Sequence, residues 1–249
     1  MIDVRDLSIR INDKQITDHV DFNIPRGKII TLVGESGSGK SMTISAMLGM
    51  LTTDINVSGK VIYEGRNLLD VSDKDMKSVR KKDIFTIFQD ASNSFNPSVK
   101  LGRQMYAYSG GRIGDTTDVF NVKMLPVLDK LGLSWDITEQ YPFQLSGGML
   151  QRCMIACAFY VEPELLIADE PTSALDMVLQ KQFIQLLIQL NEERGTTILL
   201  VTHDLDIVAE AAHEMVVMQQ GRVVETGTVE TVFSQPRHAY TKRLLESRF

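Results

Sequence analysis

The chain has 249 residues and a formal net charge of −6; 43% of its residues are hydrophobic and 23% are charged. This length predicts one large domain or a domain with a subdomain, and the balance of apolar and charged residues excludes a disordered chain. No basic stripe dominates the sequence, which argues against nucleic acid as the main partner. Each apolar run ends well short of the roughly 20 residues that a membrane-spanning helix needs. The N-terminus lacks a signal-peptide core, so we expect a cytoplasmic location.

The first part of the chain predicts strands and one helix. Residues 2–10 and 15–24 alternate polar and apolar side chains, with a turn at Asn12-Asp13, and predict an antiparallel β subdomain. A β-branched apolar run over 28–33 predicts a buried strand, and the apolar spacing over 42–48 predicts a helix.

Between that strand and that helix lies Gly34-Glu35-Ser36-Gly37-Ser38-Gly39-Lys40-Ser41, which matches the phosphate-loop pattern G-x-x-x-x-G-K-[ST] at every fixed position. The glycines let backbone N–H groups converge on phosphates at the positive end of the helix. We expect Lys40 to reach the β- and γ-phosphates and the Ser41 hydroxyl to bind Mg²⁺. A Gly- and Ser-rich surface turn is the alternative, and the flanking elements disfavour it. The predicted phosphate-binding residues are Gly34, Ser36, Gly37, Ser38, Gly39, Lys40, Ser41 and Met42.

The rest of the chain alternates strands and helices. Further strands are predicted over 58–65, 84–88, 165–168, 197–201, 215–218 and 222–225, and further helices over 74–82, 116–132, 146–160 and 177–194. Ser72 and Asp75 predict a helix cap, and Gly195 predicts a helix end. The stretch 91–114 is rich in Ser, Asn, Gly and aromatic residues. This order predicts an α/β core with a helical insertion at about 90–160 and phosphate ligands at the strand carboxyl ends.

Two acidic residues follow the apolar strand 165–168. Asp169, at the strand tip, is suited to organise the Mg²⁺ shell. Glu170 lies one residue further, where it can polarise a water molecule. Adjacent acids are common on protein surfaces, but a fully apolar run leading into them is not.

A second glycine-rich segment, Leu145-Ser146-Gly147-Gly148-Met149-Leu150-Gln151-Arg152, also opens a predicted helix and therefore predicts an anion site. The simplest reason for a second phosphate-binding segment is that it faces the nucleotide of another copy or of a partner chain. Cys153 and Cys157 follow it at i, i+4 spacing. We interpret them as small buried side chains, because nothing nearby supplies the other ligands of a metal site.

In this order, the segments resemble the motifs of the ATP-binding subunits of ABC transporters. Residues 34–41 resemble the Walker A motif, and residues 165–170 resemble Walker B with its catalytic glutamate. Residues 145–152 resemble the signature motif, with Met149 in place of the usual Gln. The remaining similarities are Gln89 with the Q-loop, Ser173, Ala174, Leu175 and Asp176 with the D-loop, and His203, between Thr202 and Asp204, with the switch histidine.

The resemblance implies an α/β phosphate-loop ATPase core of the RecA-like type, with an N-terminal antiparallel β subdomain and an inserted helical subdomain. Residues 1–89 and 161–249 would form the nucleotide-binding core. Residues 90–160 would carry the signature motif and contact membrane subunits. Two such subunits, as a non-identical pair, would close head to tail on two ATP molecules.

The resemblance also implies a role for each motif residue. Glu170 would be the general base, His203 would hold the γ-phosphate, and Gln89 would sense Mg²⁺ and the attacking water. Ser41, Gln89 and Asp169 would surround Mg²⁺. The signature residues Leu145, Ser146, Gly147, Gly148 and Met149 would face the partner's nucleotide, with Ser146 and Gly148 touching its γ-phosphate.

The adenine contact departs from the family. An aromatic residue usually stacks on the base, but Ile11 aligns with that position here, with Ile16 as its packing neighbour. Phe22 is expected to point into the core with Val20 and Ile24. We therefore expect nucleotide affinity to come mainly from phosphate contacts.

Within the family, the chain resembles the peptide/nickel importer branch, and the nickel or metal-chelate type most of all. The resemblance rests on Phe88-Gln89-Asp90 and on residues 94–97, 141–144 and 236–241. No cysteine follows Cys157, whereas peptide-type relatives usually carry a later cysteine cluster. The implied cofactors are ATP and Mg²⁺. The implied partners are a paralogous ATP-binding subunit, two transmembrane permeases and, indirectly, an extracytoplasmic solute-binding protein, with this chain peripheral on the cytoplasmic face of the membrane.

Other functional classes are disfavoured to different degrees. The closest alternative is the ATPase subunit of an exporter, such as a lipoprotein or drug exporter. A DNA-repair or chromosome ATPase would need a coiled coil or zinc module between Gln89 and Ser146, where the chain has room for neither. A translation-associated ATPase would hold two cassettes. A non-enzymatic nucleotide sensor would lack Lys40 or Glu170, and both are present.

Overall fold

The computed structural model describes residues 1–88, 94–172 and 175–246. The chain forms two compact units. The first unit comprises residues 1–80 and 197–249, and the second comprises residues 81–196. The predicted helical subdomain, 90–160, falls within the range of the second unit. Its limits as a functional subdomain stay a prediction.

Strands and helices alternate along the described residues. The strands are β1 (Ile2–Ile11), β2 (Lys14–Ile24), β3 (Ile29–Val33), β4 (Ile55–Tyr63), β5 (Arg66–Asn67), β6 (Ile84–Ile87), β7 (Leu165–Asp169), β8 (Thr197–Thr202), β9 (Glu214–Gln219) and β10 (Arg222–Thr228). The helices are α1 (Lys40–Met47), α2 (Asp73–Lys82), α3 (Leu101–Tyr108), α4 (Gly110–Ile113), α5 (Thr117–Lys130), α6 (Gly147–Val161), α7 (Met177–Arg194), α8 (Leu205–Ala211), α9 (Val229–Ser234) and α10 (Ala239–Glu246). Two 3₁₀ turns, Trp135–Glu139 and Pro142–Gln144, precede α6.

The first unit contains an antiparallel sheet in the order β2-β1-β4-β5. Its alternation follows the sequence pattern: Val20, Phe22 and Ile24 are buried on one face of β2, as expected, while the residues between them are exposed. The strand predicted over 58–65 is β4, which begins earlier, at Ile55. The predicted antiparallel β subdomain is therefore present at the N-terminus.

The first unit also contains the strand that leads into the phosphate loop. β3 is buried along its whole length and pairs in parallel with β8 and β9. In this register Val33 lies opposite Thr202 of β8 and Val217 of β9. The loops that begin at Gly34 and at His203 therefore both lie at the carboxyl end of the sheet, as parallel strands require.

In the second unit, β6 and β7 pair in parallel, with Ile84 opposite Leu165. Helix α6 is its central helix, because eleven of its residues are buried. The predicted helices over 116–132, 146–160 and 177–194 correspond to α5, α6 and α7, and Gly195 ends α7 in the left-handed conformation.

The sequence did not predict α3 and α4, which lie within the stretch 91–114. Gly102, a poor helix former, occupies α3 because a β-carbon there would lie 2.8 Å from Thr138 Cβ. The Gln104 amide also donates to the carbonyl oxygens of Asn96 and Val99, at 3.0 and 2.7 Å. Close packing and this buried polar contact therefore override local propensity.

Candidate nucleotide-binding site

The ends of the phosphate loop are packed closely against its surroundings. A β-carbon on Gly34 would lie 2.2 Å from the backbone oxygen of Met218, and one on Gly39 would lie 2.8 Å from Thr17 Cγ2. By contrast, a β-carbon on Gly37 would meet nothing within 4 Å. Ser36 and Gly37 are exposed, whereas Ser38, Gly39 and Lys40 are buried. The loop is thus fixed at both ends and open in the middle, where a ligand can approach.

Two polar groups of the loop suit an anionic ligand. Lys40 is only 6% exposed, and its ammonium donates to the carbonyl oxygens of Gly34 and Glu35, at 2.7 and 3.0 Å. The Ser38 hydroxyl is buried and has no hydrogen-bond partner within the described part of the chain. Burial of an unsatisfied hydroxyl costs free energy, so a phosphate oxygen at this position would compensate a real deficit.

Two of the predicted Mg²⁺ ligands, Ser41 in the first unit and Asp169 in the second, carry oxygen atoms of the kind that the ion prefers. Ser41 is exposed in the first turn of α1, and Met42 beside it is half-buried. Asp169 ends β7 in the second unit. Hydroxyl and carboxylate oxygens are the ligands that Mg²⁺ prefers. No cluster of three or more His, Cys, Asp or Glu side chains that could hold a metal occurs among residues 1–88, 94–172 and 175–246.

The hairpin between β9 and β10, which was not predicted as part of the site, contacts the phosphate loop through backbone hydrogen bonds. The Gly221 N–H donates to Ser38 O at 3.1 Å, and the Asp18 N–H donates to Gly221 O at 2.8 Å. Gly221 has φ +81°, and a β-carbon there would lie 2.5 Å from Ile16 O. Gln220 and Gly221 both have positive φ, which a tight hairpin turn between β9 and β10 requires. The Gln-Gly pair between two short strands was the available signal.

His203 lies in the first unit, directly after the fully buried β8, and its side chain is exposed. Asp204 follows and caps α8, with its carboxylate accepting the N–H groups of Asp206 and Ile207 at 2.8 and 3.3 Å. The local sequence thus gives each residue a separate task. Asp204 fixes the start of α8, and His203 lies at the carboxyl end of the sheet, where Gly34 also lies.

Glu170 has an unusual backbone conformation. It follows the buried strand β7 with φ +43°, in the left-handed region that non-glycine residues rarely adopt. Such conformations cost free energy, and they are enriched at functional sites. The sequence pattern predicted the buried strand and the two acids, but it carried no sign of this backbone geometry.

The signature segment has one closed and one open glycine. Ser146 caps α6, with its hydroxyl accepting the Met149 N–H at 3.3 Å. A β-carbon on Gly148 would lie 2.7 Å from Leu179 Cδ1, whereas one on Gly147 would meet nothing within 4 Å. Leu145 and Met149 are half-buried, and Ser146 and Gly147 are exposed. The helix N-terminus therefore presents N–H groups outward, as an anion site requires.

Three of the predicted site residues, Gln89, Ser173 and Ala174, lie outside the described residues. Of the remaining D-loop residues, Leu175 is half-buried, and the Asp176 carboxylate caps α7 by accepting the N–H groups of Val178 and Leu179 at 3.0 Å. Ile11 is half-buried at the end of β1.

Both cysteines are buried in α6. Burial raises the pKa of Cys153 to about 12 and also raises the pKa of Cys157, so both are protonated thiols at neutral pH. They pack as small apolar side chains.

The family model for ABC transporters matches residues 17–173, more than half of the chain. The chain belongs to the ABC transporter family. It is 38% identical to the oligopeptide transport ATP-binding protein OppD of Bacillus subtilis (strain 168), across 99% of this chain and 71% of that protein. It is 36% identical to the metal-staphylopine import system ATP-binding protein CntD of Staphylococcus aureus (strain NCTC 8325 / PS 47), across 95% of this chain and 88% of that protein.

Solved structures agree with this assignment. The dimeric structure of the ATP-binding cassette MJ0796, bound to ADP and Pi after hydrolysis, superposes with a TM-score of 0.79 and 25% identity, across 92% of this chain and 99% of that one. These similarities confirm the predicted fold class, the peptide/nickel branch and the class of ATP-hydrolysing transport subunit, and they do not favour an exporter. No helix in the part of the chain that the structure describes is long and apolar enough to cross a membrane.

Proposed function

We propose that this ABC ATPase powers the import of a peptide or metal chelate through a membrane complex. Its partners would be a paralogous ATP-binding subunit, two transmembrane permeases and, indirectly, an extracytoplasmic solute-binding protein. The names of OppD and CntD support this proposal, since one serves oligopeptide transport and the other metal-staphylopine import. The chain would lie at the cytoplasmic face of the membrane, where ATP is available.

The phosphate loop is the proposed site of nucleotide binding in each subunit. Lys40 would turn its ammonium towards the β- and γ-phosphate oxygens while the Gly34 carbonyl oxygen keeps it beside the loop. The Ser38 hydroxyl and the N–H groups around Gly37 would complete the cradle. Mg²⁺, when bound, would neutralise charge on these phosphates, and its proposed ligands are Ser41, Asp169 and Gln89.

Hydrolysis would need residues from two chains. Glu170 would accept a proton from the attacking water, and His203 would donate a hydrogen bond to the γ-phosphate. The residues of the partner subunit that correspond to Ser146 and Gly148 would supply further donors to the same phosphate. The observation that carries this proposal is the exposed start of α6, where Ser146 and the open Gly147 face away from the core of their own unit. A dimeric cassette with bound ADP and Pi among the structural neighbours supports it.

Purification of the tagged chain from membranes of its native host tests the proposed assembly. We expect two permeases and a second ATPase to co-purify, identified by mass spectrometry. Reconstituted in vesicles, the complex should hydrolyse ATP faster when its solute-binding protein carries the substrate. An oligopeptide mixture and a nickel–histidine chelate, added separately, distinguish the two substrate classes. Recovery of the chain without permeases, or stimulation by neither probe, would contradict the proposal.

A further inference from the structure

The last described helix of the chain reaches the phosphate loop. The backbone N–H of Glu35 donates to the Tyr240 hydroxyl at 2.9 Å. Tyr240 lies in the first turn of α10 and is only 2% exposed. It belongs to residues 236–241, one of the stretches that resemble the peptide/nickel branch. All these groups lie within the first unit.

This contact and the Lys40 contact act on the same peptide group. The carbonyl oxygen of Gly34 and the N–H of Glu35 belong to one planar peptide unit. Lys40 Nζ donates to that oxygen at 2.7 Å, while the Tyr240 oxygen accepts from that N–H at 2.9 Å. Because the unit is rigid, fixing both ends fixes the direction of the Gly34 carbonyl group, one of the two that the Lys40 ammonium contacts.

Tyr240 is itself firmly held. Its ring belongs to a buried apolar cluster that includes Val33, the residue before Gly34, and Val217 of β9. The chain enters α10 through a capped turn, in which the Glu225 carboxylate accepts the N–H groups of Arg237 and His238 at 2.8 and 3.0 Å. The hydroxyl therefore has little freedom to leave Glu35.

The Glu225 carboxylate is charged in this turn. Burial alone would raise its pKa, but the nearby Thr241 hydroxyl, the N–H groups of Arg237 and His238 and the Arg237 charge together bring the pKa below its usual value. The turn is thus preserved at neutral pH.

We propose that Tyr240 is a positioning residue of the phosphate loop. Its hydroxyl orients the Gly34–Glu35 peptide so that Lys40 is held beside the phosphate cradle before nucleotide arrives. The C-terminal segment thereby tunes nucleotide affinity without touching the nucleotide. This inference rests on the proposed phosphate-binding role of the loop, and the test below separates the two.

Tyr240→Phe keeps the buried ring and removes only the hydroxyl. In the full chain we expect the dissociation constants of both ATP and ADP to rise about 3- to 10-fold, the usual net effect of one hydrogen bond. The ATPase kcat of the purified complex, measured at saturating ATP, should stay within about twofold of wild type, because no reacting group changes. Amide hydrogen exchange at Glu35, followed by NMR without nucleotide, should accelerate.

Tyr106→Phe is the matched control. The Tyr106 hydroxyl also bonds the backbone, donating to Asp115 O at 2.9 Å, but it lies in the second unit. This variant should leave nucleotide affinity and Glu35 exchange unchanged. Glu225→Gln, which weakens the turn without reaching the loop, should change Glu35 exchange in the same direction as Tyr240→Phe and by less.

The outcomes separate the inference about Tyr240 from the proposed phosphate site. Wild-type ATP affinity and wild-type Glu35 exchange in Tyr240→Phe would overturn the inference, and so would an equal loss of affinity in Tyr106→Phe. Lys40→Ala, measured alongside, tests the underlying site. If Lys40→Ala weakens ATP binding while Tyr240→Phe does not, only the inference fails. If Lys40→Ala binds ATP normally, the proposed phosphate site itself is wrong.

Discussion

The phosphate loop and the signature segment use the same local chemistry for different ends. Both are glycine-rich turns that open a helix, α1 in one case and α6 in the other. In the phosphate loop, both flanking glycines meet neighbouring atoms and the Lys40 ammonium is held inside. In the signature segment, the Ser146 hydroxyl accepts the Met149 N–H, Gly148 is packed against Leu179 and Gly147 faces open space. Each segment thus combines packed and open glycines, whereas the buried lysine ammonium belongs to the phosphate loop alone.

This difference predicts separate roles for the two segments. A loop with its own cation should bind phosphate in the isolated subunit. An open helix N-terminus has only partial charge, which is worth less in water than beside a phosphate already held elsewhere. The comparison therefore predicts that binding depends on the first site and turnover on both.

Glu170→Gln should give the largest effect. Loss of the general base should lower ATP turnover by roughly 10²- to 10⁴-fold, while ATP binding survives because the phosphate contacts remain. Turnover of the purified complex and equilibrium nucleotide binding are the two measurements. Glu164→Gln, at the exposed position just before the same strand, is the control and should behave as wild type. Normal turnover in Glu170→Gln would remove this residue from the chemistry.

Lys40→Ala should act on binding itself. Hydrogen bonds to a charged group are worth about 1.5–3 kcal/mol, which corresponds to a loss of roughly 10- to 150-fold in ATP affinity. Titration of the isolated chain with ATP measures it, because this loop needs no partner. Lys60→Ala, an exposed lysine of β4, should leave affinity unchanged. An unchanged affinity in Lys40→Ala would show that the phosphate loop is not the primary nucleotide-binding site.

Much of this architecture could be predicted from the sequence, because its motifs coincide with strong local patterns. The β3 run before Gly34 and the β7 run before Asp169 are continuous and apolar, so both strands and the residues at their ends were predictable. The cap at Ser146 was predictable for a similar reason, since a serine before a helix has a defined partner at Met149.

The supporting contacts could not be predicted, because they join residues far apart in sequence. Tyr240 meets Glu35 across 205 positions, and Gly221 meets Ser38 across a hairpin whose docking no local pattern specifies. Helix α3 escaped prediction because its Gly102 is chosen by Thr138 rather than by helix propensity. Local patterns thus located the groups that would touch phosphate, while tertiary packing decides how firmly they are held.

Two alanine variants should distinguish a packed glycine of the phosphate loop from an open glycine of the signature segment. Gly34→Ala places a β-carbon 2.2 Å from a backbone oxygen and should cost about 1–3 kcal/mol of unfolding free energy, the usual range for overpacking. Gly147→Ala meets nothing within 4 Å and should change stability by less than about 0.5 kcal/mol. Chemical denaturation of both variants measures the difference. Equal destabilisation by the two variants would contradict the difference in packing between Gly34 and Gly147.

The base should contribute least, because the first unit offers it no aromatic platform at the expected position. Ile11 is half-buried at the end of β1, and Phe22 is buried in the core. Arg10 does not take over the task in this structure, because its guanidinium donates twice to Gln15 Oε1, at 3.1 and 3.0 Å, and Gln15 in turn donates to Thr17 O. Nucleotide affinity should therefore depend little on whether the base is adenine or guanine.

Ile11→Tyr restores an aromatic ring at that position. Stacking on a base is worth about 1–3 kcal/mol, and the new ring must also be ordered, so we expect ATP to bind only about fivefold more tightly. Titrating ATP and GTP into wild type and variant measures it, with Ile16→Tyr as the neighbouring control. A strong ATP preference in wild type would mean that another group holds adenine. No tightening in Ile11→Tyr would mean that the base lies elsewhere and that the phosphate loop alone determines where the nucleotide binds.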